Sequence, residues 1–461
     1  MLMTTTARGD EGAGASENRI QPWTKNPRFW QFRGEPVWLL GGSVKDNLFQ
    51  IPDLQTQLDL LVSVGGNYIR NTMSDRPDQG FEIKAFAQTE EGRYDLTVWK
   101  EAYWQRFESL LQLTSARDII VQIELWDRFD HSQGNWESDP FNPTNNVNYS
   151  EEESGLAAEY PQHPGGNKQP FFYTVPELAD NQVVLAFQRA FIDKVLSYSL
   201  RFDNVLYCMD NETSGDPAWG RYWAEHVRQR AAEAGVRVEL TQMWDQWDVS
   251  HETHRPTFDH PELYSFVDIA QNSHNPGQLN WERAQWVRAY LSSQPRPMNS
   301  TKIYGADTSK WTDRGVDAEH GEQTFWRNLI GGFASSRFHR PPSGLGLGTV
   351  AQANLRSARM LQQHFDVLHA VPDSDMALLR DRTDNEAYVT RVPQRQFAVY
   401  FPDGGDVRLD VSDVERTESL TVIALDIGAS RWLEPASVPV DDAGLLQLTS
   451  PPGPHVVLVT Q

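Results

Sequence analysis

The sequence predicts an α/β fold, a (β/α)8 TIM barrel followed by a small antiparallel β-sandwich. Two observations support this prediction. Eight short apolar segments, typical of buried parallel strands, alternate with amphipathic helical segments up to about residue 371. Beyond residue 372 the helical period ends, and short segments of alternating polarity continue between turn residues. We therefore expect a disordered leader at 1–20, a barrel at 21–371 and a β-sandwich at 372–461.

The composition is that of a globular protein with a strong negative charge. The 461 residues include 63 acidic and 41 basic side chains, and the formal net charge of −22 disfavours binding to nucleic acid or to anionic membranes. Hydrophobic residues make up 39% of the chain, enough for a sizeable core. The single cysteine, Cys208, excludes an intramolecular disulfide. We expect a cytoplasmic protein, or a secreted one if a signal peptide has been removed, and assembly into a homo-oligomer stays open.

The barrel elements follow one another in a regular order. A hairpin with its turn at Arg33-Gly34-Glu35 leads into the first strand. The predicted strands are residues 36–43, 66–73, 117–127, 203–212, 236–245, 264–274, 300–307 and 332–340. The predicted helices are residues 53–64, 99–113, 181–200, 221–235, 280–293, 322–332 and 351–368. The eight strands, with no GxGxxG pattern after the first, favour a barrel over an open dinucleotide-binding sheet.

Seven alternating segments predict the sandwich. They are residues 388–393, 396–403, 406–413, 420–427, 429–435, 445–450 and 455–461. The connection at 361–373 is helical to its end and is not a flexible stalk, so we expect the sandwich to dock rigidly on the barrel. Trp432 is its one indole, and we favour a structural role over a carbohydrate-binding one.

In a barrel, the side chains at the carboxyl ends of the strands converge on one cavity. Here these side chains are acids, amides, indoles and basic groups. We predict as substrate-binding residues Asp46, Arg70, Asn71, Glu124, Trp126, Asp127, Asn211, Trp244, Asp245, Asn272, His274, Trp311, His339 and Arg340. Carboxylates and amides bind sugar hydroxyls, and indole faces stack on sugar C–H groups, so the set points to a carbohydrate substrate.

The tryptophans fall into two groups. Those within helical segments are expected to pack between helices and barrel, namely Trp99, Trp104, Trp223, Trp286 and Trp326. Those at strand ends or in loops are equally compatible with packing and with sugar binding, namely Trp126, Trp136, Trp244, Trp247 and Trp311.

The sharpest motif is Asn211-Glu212, directly after the apolar segment VLYCM of the fourth strand. Here the sequence resembles the clan A glycoside hydrolases, (β/α)8 enzymes with an Asn-Glu pair at the end of strand 4. The resemblance implies that Glu212 is the general acid/base and that Asn211 binds the sugar 2-hydroxyl. With Arg70 ending strand 2, the layout is similar to that of bacterial glycosidases whose C-terminal sandwich is labelled a collagen-binding domain. The alternative is that Asn211 and Glu212 cap the next helix.

The sequence departs from that family at strand 7, where clan A enzymes place a glutamate nucleophile. The segment STKIYGAD offers Asp307 instead, and we predict Asp307 as the second catalytic residue. The alternatives are Glu319 or Glu322 just beyond it, a carboxylate on another strand (Asp46, Glu124, Asp127 or Asp245), or loss of hydrolytic activity.

The expected reaction is hydrolysis of a glycosidic bond in an oligo- or polysaccharide. Glu212, with a pKa raised by burial and a neighbouring carboxylate, would protonate the leaving oxygen while a second carboxylate attacks the anomeric carbon or activates water. The resemblance favours retention of configuration. The alternatives are a non-catalytic glycan-binding protein on a degenerate barrel, and a carbohydrate lyase or transglycosidase.

No cofactor is expected. The histidines His131, His274 and His339 share no metal-binding spacing, so no metal site is predicted. The arginines Arg70, Arg128 and Arg340 could form a site for a substrate carboxylate, but we favour ion pairs that orient neighbouring acids.

Overall fold

The computed structural model describes residues 17–77, 79–160, 168–304, 317–339, 347–415 and 417–461, without the side chain of residue 133. Eight short parallel strands, β1 to β8, organise the first part of the chain. They are Leu39–Gly42, Tyr68–Thr72, Ile120–Asp127, Val205–Asn211, Glu239–Thr241, Val267–Asp268, Met298–Asn299 and Ser335–Phe338. Seven lie within their predicted segments. Strand β7, Met298–Asn299, lies just before the predicted segment 300–307, so that prediction was wrong in position; within the segment only Ile303 forms an isolated parallel bridge, with Phe338.

The strands pair in chain order within two sheets, an arrangement consistent with the predicted barrel. Strands β1 to β5 and β8 form one sheet in which β8 pairs with β1, while β6 and β7 form a two-stranded sheet. Backbone hydrogen bonds from Ala334 to Met298 (2.9 Å) and from Ile303 to Arg337 (3.0 Å) join β7 to β8. Between β5 and β6 the described chain shows no paired ladder, and there the backbone N–H of Leu240 donates to Ser265 Oγ.

Helices connect the strands, and side-chain caps define several of their starts. The longer helices are Leu54–Ser63, Glu101–Ser115, Gln182–Ser199, Pro217–Glu233, Gly277–Tyr290, Ala318–Ile330 and Thr349–His364. The shorter ones are Gln133–Glu137, Glu151–Ser154 and Arg255–Phe258, with 3-10 turns at Leu48–Gln50, Pro170–Tyr173, Glu252–His254, Ala270–His274 and Leu291–Ser293. Asn181, Asp216 and Asp317 each accept a backbone hydrogen bond in the first turn, as good N-caps do. All seven predicted helices are confirmed in position.

The predicted N-terminal hairpin is confirmed. Trp30–Phe32 pairs with Glu35–Val37, and the turn residues Arg33 (φ 52°) and Gly34 (φ 80°) are both left-handed, which suits a tight two-residue hairpin turn. Gln21–Pro22 adds a third strand. A second hairpin, Phe86–Gln88 with Tyr94–Trp99, was not predicted.

The prediction of a leader reaching residue 20 is wrong for its last residues. Ile20 is only 3% exposed, and its backbone N–H donates to Asp203 O at 2.9 Å. The Arg19 guanidinium donates to Leu200 O and pairs with Asp203. These contacts fix the chain from residue 19 onward against the end of the helix that precedes β4. Residues 1–16 lie outside the described residues.

The C-terminal part consists of two antiparallel sheets. One contains Val371–Pro372, Tyr388–Val392, Gln396–Phe401, Ser419–Asp426, Arg431–Trp432, Ala436–Pro439 and His455–Thr460, and the other contains Leu379–Arg380, Gly405–Asp410 and Leu445–Ser450. Apolar side chains fill the space between the sheets, so the alternation in the sequence is that of a sandwich.

The sandwich packs directly on the helices around β7 and β8. The Tyr388 ring lies 4.9 Å from the Trp281 ring, and the Tyr400 ring stacks on Trp326 at 6.0 Å. The Arg327 guanidinium donates to Asn385 Oδ1 at 3.1 Å across the same contact. The two parts therefore share one continuous apolar core on this side.

No helix among the described residues is long and apolar enough to cross a membrane.

Candidate active site

Glu212 follows the last residue of β4 in a left-handed conformation, with φ 57°. This conformation costs a non-glycine residue roughly 1 kcal/mol or more, and the surrounding structure must hold it. The next residue is fixed on both sides, because Thr213 N–H donates to Met243 O and Asp245 N–H donates to Thr213 O, each at 2.8 Å. The structure thus fixes the backbone that presents Glu212 at the carboxyl end of the strands.

Glu212 is 8% exposed, and its carboxylate is held by side chains of residues that follow β7 and β3. Lys302 Nζ donates to Glu212 Oε1 at 2.6 Å, and it also donates to Asn211 Oδ1. The Tyr304 hydroxyl donates to the same Oε1. The second oxygen, Oε2, faces Arg128 Nη2 at 3.8 Å. One carboxylate oxygen is therefore tied by two donors, and the other has a longer contact.

These contacts set the charge of Glu212. Burial favours its neutral form, but the charges of Lys302 and Arg128, with the hydrogen bonds from Lys302 and Tyr304, outweigh burial and hold the pKa of Glu212 well below its ordinary value. The sequence-based prediction of a raised pKa for Glu212 was wrong, because it took into account burial and a neighbouring acid but not the ammonium group. Glu212 is ionised at neutral pH.

Asp245, just after β5, is the carboxylate linked most directly to Glu212. Arg128 Nη1 contacts Asp245 Oδ2 at 2.6 Å while Nη2 faces Glu212, so one guanidinium spans both acids. Burial, then the nearby Glu212 charge, raises the pKa of Asp245 despite the opposing effect of Arg128. The pKa values of these two neighbouring carboxyl groups are thus displaced in opposite directions. Pairs of this kind supply the acid and the base of many enzyme sites.

A second ion-pair network lies beneath these residues, at the ends of β1 to β3. The fully buried Arg70 guanidinium pairs with Glu124 and with Asp46. His339 Nε2 lies 3.7 Å from Asp46 Oδ1, and Arg76 Nη2 lies 3.3 Å from Asp127. The favoured prediction that Arg70, Arg128 and Arg340 form ion pairs with neighbouring acids is consistent with the contacts of Arg70 and Arg128, whereas Arg340 lies outside the described residues.

The acidic network continues into a small cavity of about 30 Å³ that is lined in part by Asp127, Asp130, His131 and Asp139. Burial raises the pKa of Asp130 to about 8, against the effect of Arg76. His131 Nδ1 lies 2.6 Å from Asp139 Oδ2, and its ring stacks on Phe171. This space has room for about one water molecule and not for a sugar. His131 is engaged in packing here.

An aromatic stack leads from Glu212 to the surface. The Tyr304 ring stacks on His274 at 4.3 Å, and His274 stacks on Trp247 at 4.1 Å with an interplanar angle of 11°. The His339 ring meets the Tyr304 ring edge to face at 5.2 Å. Trp247 is 43% exposed. The mouth of the site is therefore bordered by a rigid series of rings that ends at an open indole.

Four predicted substrate-binding residues are buried in the protein's own packing, and their binding role stays a prediction. Trp126 is 2% exposed among the rings of Phe171, Trp219 and Trp223. The buried Trp244 donates from Nε1 to Thr257 Oγ1.

The two buried asparagines, Asn71 and Asn272, also make contacts within the protein. Asn71 Oδ1 accepts from the backbone of Phe49, while Asn272 bonds Asn280 O and the side chain of Asn275. Both amides are therefore engaged in hydrogen bonds within loops.

The other predicted site residues divide into two groups. Those that the structure brings together at the carboxyl ends of the strands are Asp46, Arg70, Glu124, Asp127, Asn211, Glu212, Asp245, His274 and His339. Asp307, Trp311 and Arg340 lie outside the described residues, so their roles stay predictions. Glu319 and Glu322 lie in the helix Ala318–Ile330, where Glu322 accepts from Asn354 of the next helix.

Sequence reasoning missed Lys302 and Tyr304. Their spacing of two residues in STKIYG is the signal that could have found them, because alternate residues of an extended segment point to the same side. Among the described residues, no group of three or more histidine, cysteine or acidic side chains is arranged to hold a metal ion.

The strand order and the surrounding helices define an α/β fold of eight parallel strands. No protein-family model matches the sequence, and no curated protein matches it. Solved structures do resemble the chain. A glycoside hydrolase family 5 structure from Bacteroides vulgatus is similar over 96% of this chain and 94% of its own, with a TM-score of 0.63 at 11% identity.

Two further structures show the same likeness. An alpha-amylase from Geobacillus thermoleovorans, complexed with acarbose, matches 96% of this chain and 97% of its own, with a TM-score of 0.57 at 10% identity. A family 5 mannosidase from Rhizomucor miehei, in complex with mannosyl-fructose, matches 76% of this chain and 98% of its own, with a TM-score of 0.51 at 10% identity. At these identities the comparison establishes the fold.

Proposed function

We propose that this protein is a glycoside hydrolase whose reacting carboxylates are Glu212 and Asp245. One observation supports this most strongly: a single guanidinium, Arg128, contacts both acids at the mouth of the strands, and their pKa values are displaced in opposite directions. Glycosidases place their two carboxyl groups roughly 5 to 9.5 Å apart, and two acids that share one guanidinium are suited to that spacing.

The roles follow from the charges. Glu212 is the anion, and its less constrained oxygen Oε2 attacks the anomeric carbon of the sugar. Asp245, the carboxyl whose pKa is raised, is the proton donor: it protonates the glycosidic oxygen as the bond between that oxygen and the anomeric carbon breaks. Water then cleaves the glycosyl ester on Glu212, giving its proton to Asp245. This scheme retains the anomeric configuration, and it exchanges the role that the clan A resemblance implies for Glu212.

The experiment is turnover of 4-nitrophenyl glycosides and of β-1,4-linked gluco-, manno- and xylo-oligosaccharides by wild type, Glu212→Gln and Asp245→Asn. We expect each variant to lose roughly 10³-fold or more in kcat on any substrate that wild type cleaves. Asp248→Asn is the matched control, because Asp248 is in the same loop but pairs with Arg283 at the surface. Turnover by Glu212→Gln within tenfold of wild type would contradict the proposal.

Proton NMR of the first product tests the stereochemistry. Retention of the anomeric configuration agrees with attack by Glu212. An inverted first product would instead show that water attacks directly and that Glu212 acts as a base.

One contact favours a second candidate function, a glycan-binding protein without hydrolytic activity. Lys302 Nζ donates hydrogen bonds to both Asn211 Oδ1 and Glu212 Oε1. These are the two groups that an acid/base site would direct at its substrate. Isothermal titration of the same oligosaccharides separates the candidates. Binding with no turnover by wild type selects the binding protein, and turnover lost in Glu212→Gln selects the hydrolase.

A further inference from the structure

Trp247 differs from the other tryptophans at strand ends. Trp126, Trp136 and Trp244 are each less than 5% exposed, whereas Trp247 is 43% exposed. A single exposed apolar side chain is ordinary on a protein surface and means little by itself. The supports beneath this indole are what make it informative.

The indole is held in place from one side. His274 stacks beneath it at 4.1 Å, nearly parallel, and Tyr304 stacks beneath His274 at 4.3 Å. The backbone is held as well, because Asn275 Nδ2 donates to Trp247 O at 2.8 Å. Since one face is covered by His274, the exposed area belongs to the opposite face and the edges. A flat apolar surface is thus fixed in position before any ligand arrives, which lowers the entropy cost of binding.

The same stack connects this surface to the reacting centre. Tyr304, the innermost ring, donates its hydroxyl to Glu212 Oε1. The open face of Trp247 is therefore two ring-stacking steps from the ring that touches Glu212. Carboxylates close by would bind hydroxyl groups, while the C–H face of a pyranose ring needs an apolar plane of this kind.

We infer that the open face of Trp247 binds a sugar ring further along the chain than the one next to Glu212, so that the ligand is an oligosaccharide of three or more units. The inference rests on the proposed carbohydrate ligand but not on hydrolysis. It also implies that the chain of sugars leaves the site over the residues that follow β5 and β6.

The test is isothermal titration of wild type, Trp247→Ala and Trp247→Phe with β-1,4-linked gluco-, manno- and xylo-oligosaccharides of two to six units, at a pH where nothing is cleaved or in the Glu212→Gln background. We expect Trp247→Ala to raise Kd about tenfold for the oligosaccharide that binds best, as loss of an aromatic contact does. Trp247→Phe, which keeps a flat ring, should recover most of that loss.

Trp286→Ala is the matched control. Trp286 also stacks on a ring, that of Tyr290, and lies on the helix Gly277–Tyr290. We expect its removal to leave Kd unchanged. Thermal unfolding of each variant separates a binding effect from a folding effect, because the exposed Trp247 should contribute little to stability.

The outcomes distinguish this inference from the proposed function. Equal Kd values for wild type and Trp247→Ala overturn the inference and leave the roles of Glu212 and Asp245 untouched. Loss of turnover in Glu212→Gln with unchanged binding, together with weaker binding in Trp247→Ala, supports both. If wild type binds none of the oligosaccharides, the inference is overturned for this ligand class, whatever the aryl glycosides show.

Discussion

The interiors of the barrel and of the sandwich contain opposite kinds of side chain. Between the barrel strands, fully buried positions hold charged and amide groups, among them Arg70, Gln122, Glu124 and Arg337. Between the sandwich sheets, the corresponding positions are aliphatic and aromatic, namely Val389, Phe397, Val399, Val407, Leu409, Leu446, Leu448 and Val459. Burying ion pairs contributes little net stability, whereas burying hydrocarbon contributes about 25 cal/mol per Å². The barrel interior therefore positions charged groups for a functional site, whereas the sandwich interior mainly stabilises the fold.

Among variants that test this contrast between barrel and sandwich, we expect the largest loss of stability from substitution of Arg70. Arg70→Met leaves Glu124 and Asp46 without their buried cation, and we expect a loss of about 3 to 5 kcal/mol in the free energy of unfolding. Urea unfolding measures it. Leu409→Ala in the sandwich is the control, with a loss that should not vary with pH. A loss below about 1 kcal/mol for Arg70→Met would show that the barrel interior tolerates unpaired charge.

Lys302→Met tests the charge of Glu212. In wild type the folded pKa of Glu212 is depressed, so its ionisation stabilises the fold above the unfolded value near 4.3 and the stabilisation is lost as pH falls toward the folded pKa. Without the ammonium group, burial should raise the pKa of Glu212. We expect about 2 to 4 kcal/mol less stability at pH 7, with the deficit shrinking toward pH 4.

The acidic limb of the pH–rate profile should also move to higher pH in Lys302→Met, because the pKa of Glu212 rises. An unchanged limb, with stability lost equally at every pH, would mean that Lys302 acts through packing alone.

Asp130→Asn should have a smaller effect of the opposite sign. Because the folded pKa of Asp130 is about 8, far above its unfolded value, the folded state holds a proton that the unfolded state releases, and wild-type stability falls as pH rises from about 4 to 8. Asn cannot ionise and keeps an oxygen for the Ser74 hydroxyl. We expect Asp130→Asn to be about 1 to 2 kcal/mol more stable than wild type at pH 8 and equal to it near pH 4, by thermal unfolding.

The smallest effect is expected for an arginine–acid pair on the sandwich. Arg391 contacts Asp413 at 2.6 Å, with both side chains about a third exposed. Arg391→Ala should cost less than about 1 kcal/mol in urea unfolding at low salt, and less again at high salt. A cost as large as that of Arg70→Met would remove the contrast between the two regions.

Much of the fold was predictable because local patterns determine it. Hydrophobic period predicted the order of the eight parallel strands and of the seven longer helices, and the turn at Arg33-Gly34-Glu35 predicted the first hairpin. The short strands Val371–Pro372, Leu379–Arg380 and Ala436–Pro439 were missed. The start of β7 was not predictable, since Met298–Asn299 forms only a two-residue strand after Pro297 and carries little apolar pattern. The hairpin 86–99 was missed because its second strand runs directly into a helical segment.

The candidate site was predictable in its place but not in its charge. The position of Asn211 and Glu212 at the end of a strand followed from the sequence. The contact of Lys302 with Glu212 joins residues 90 positions apart, and no local pattern specifies it. The same limit applies to Trp126 and Trp247: both follow apolar strands, yet Phe171 and the helices cover one while the other stays open.

The shared core of barrel and sandwich has a practical consequence. A chain shortened after residue 371 would present the indoles of Trp281 and Trp326 to water and deprive Arg327 of Asn385. We expect such a fragment to aggregate on expression. Fusion proteins or libraries based on the barrel should therefore retain the last ninety residues.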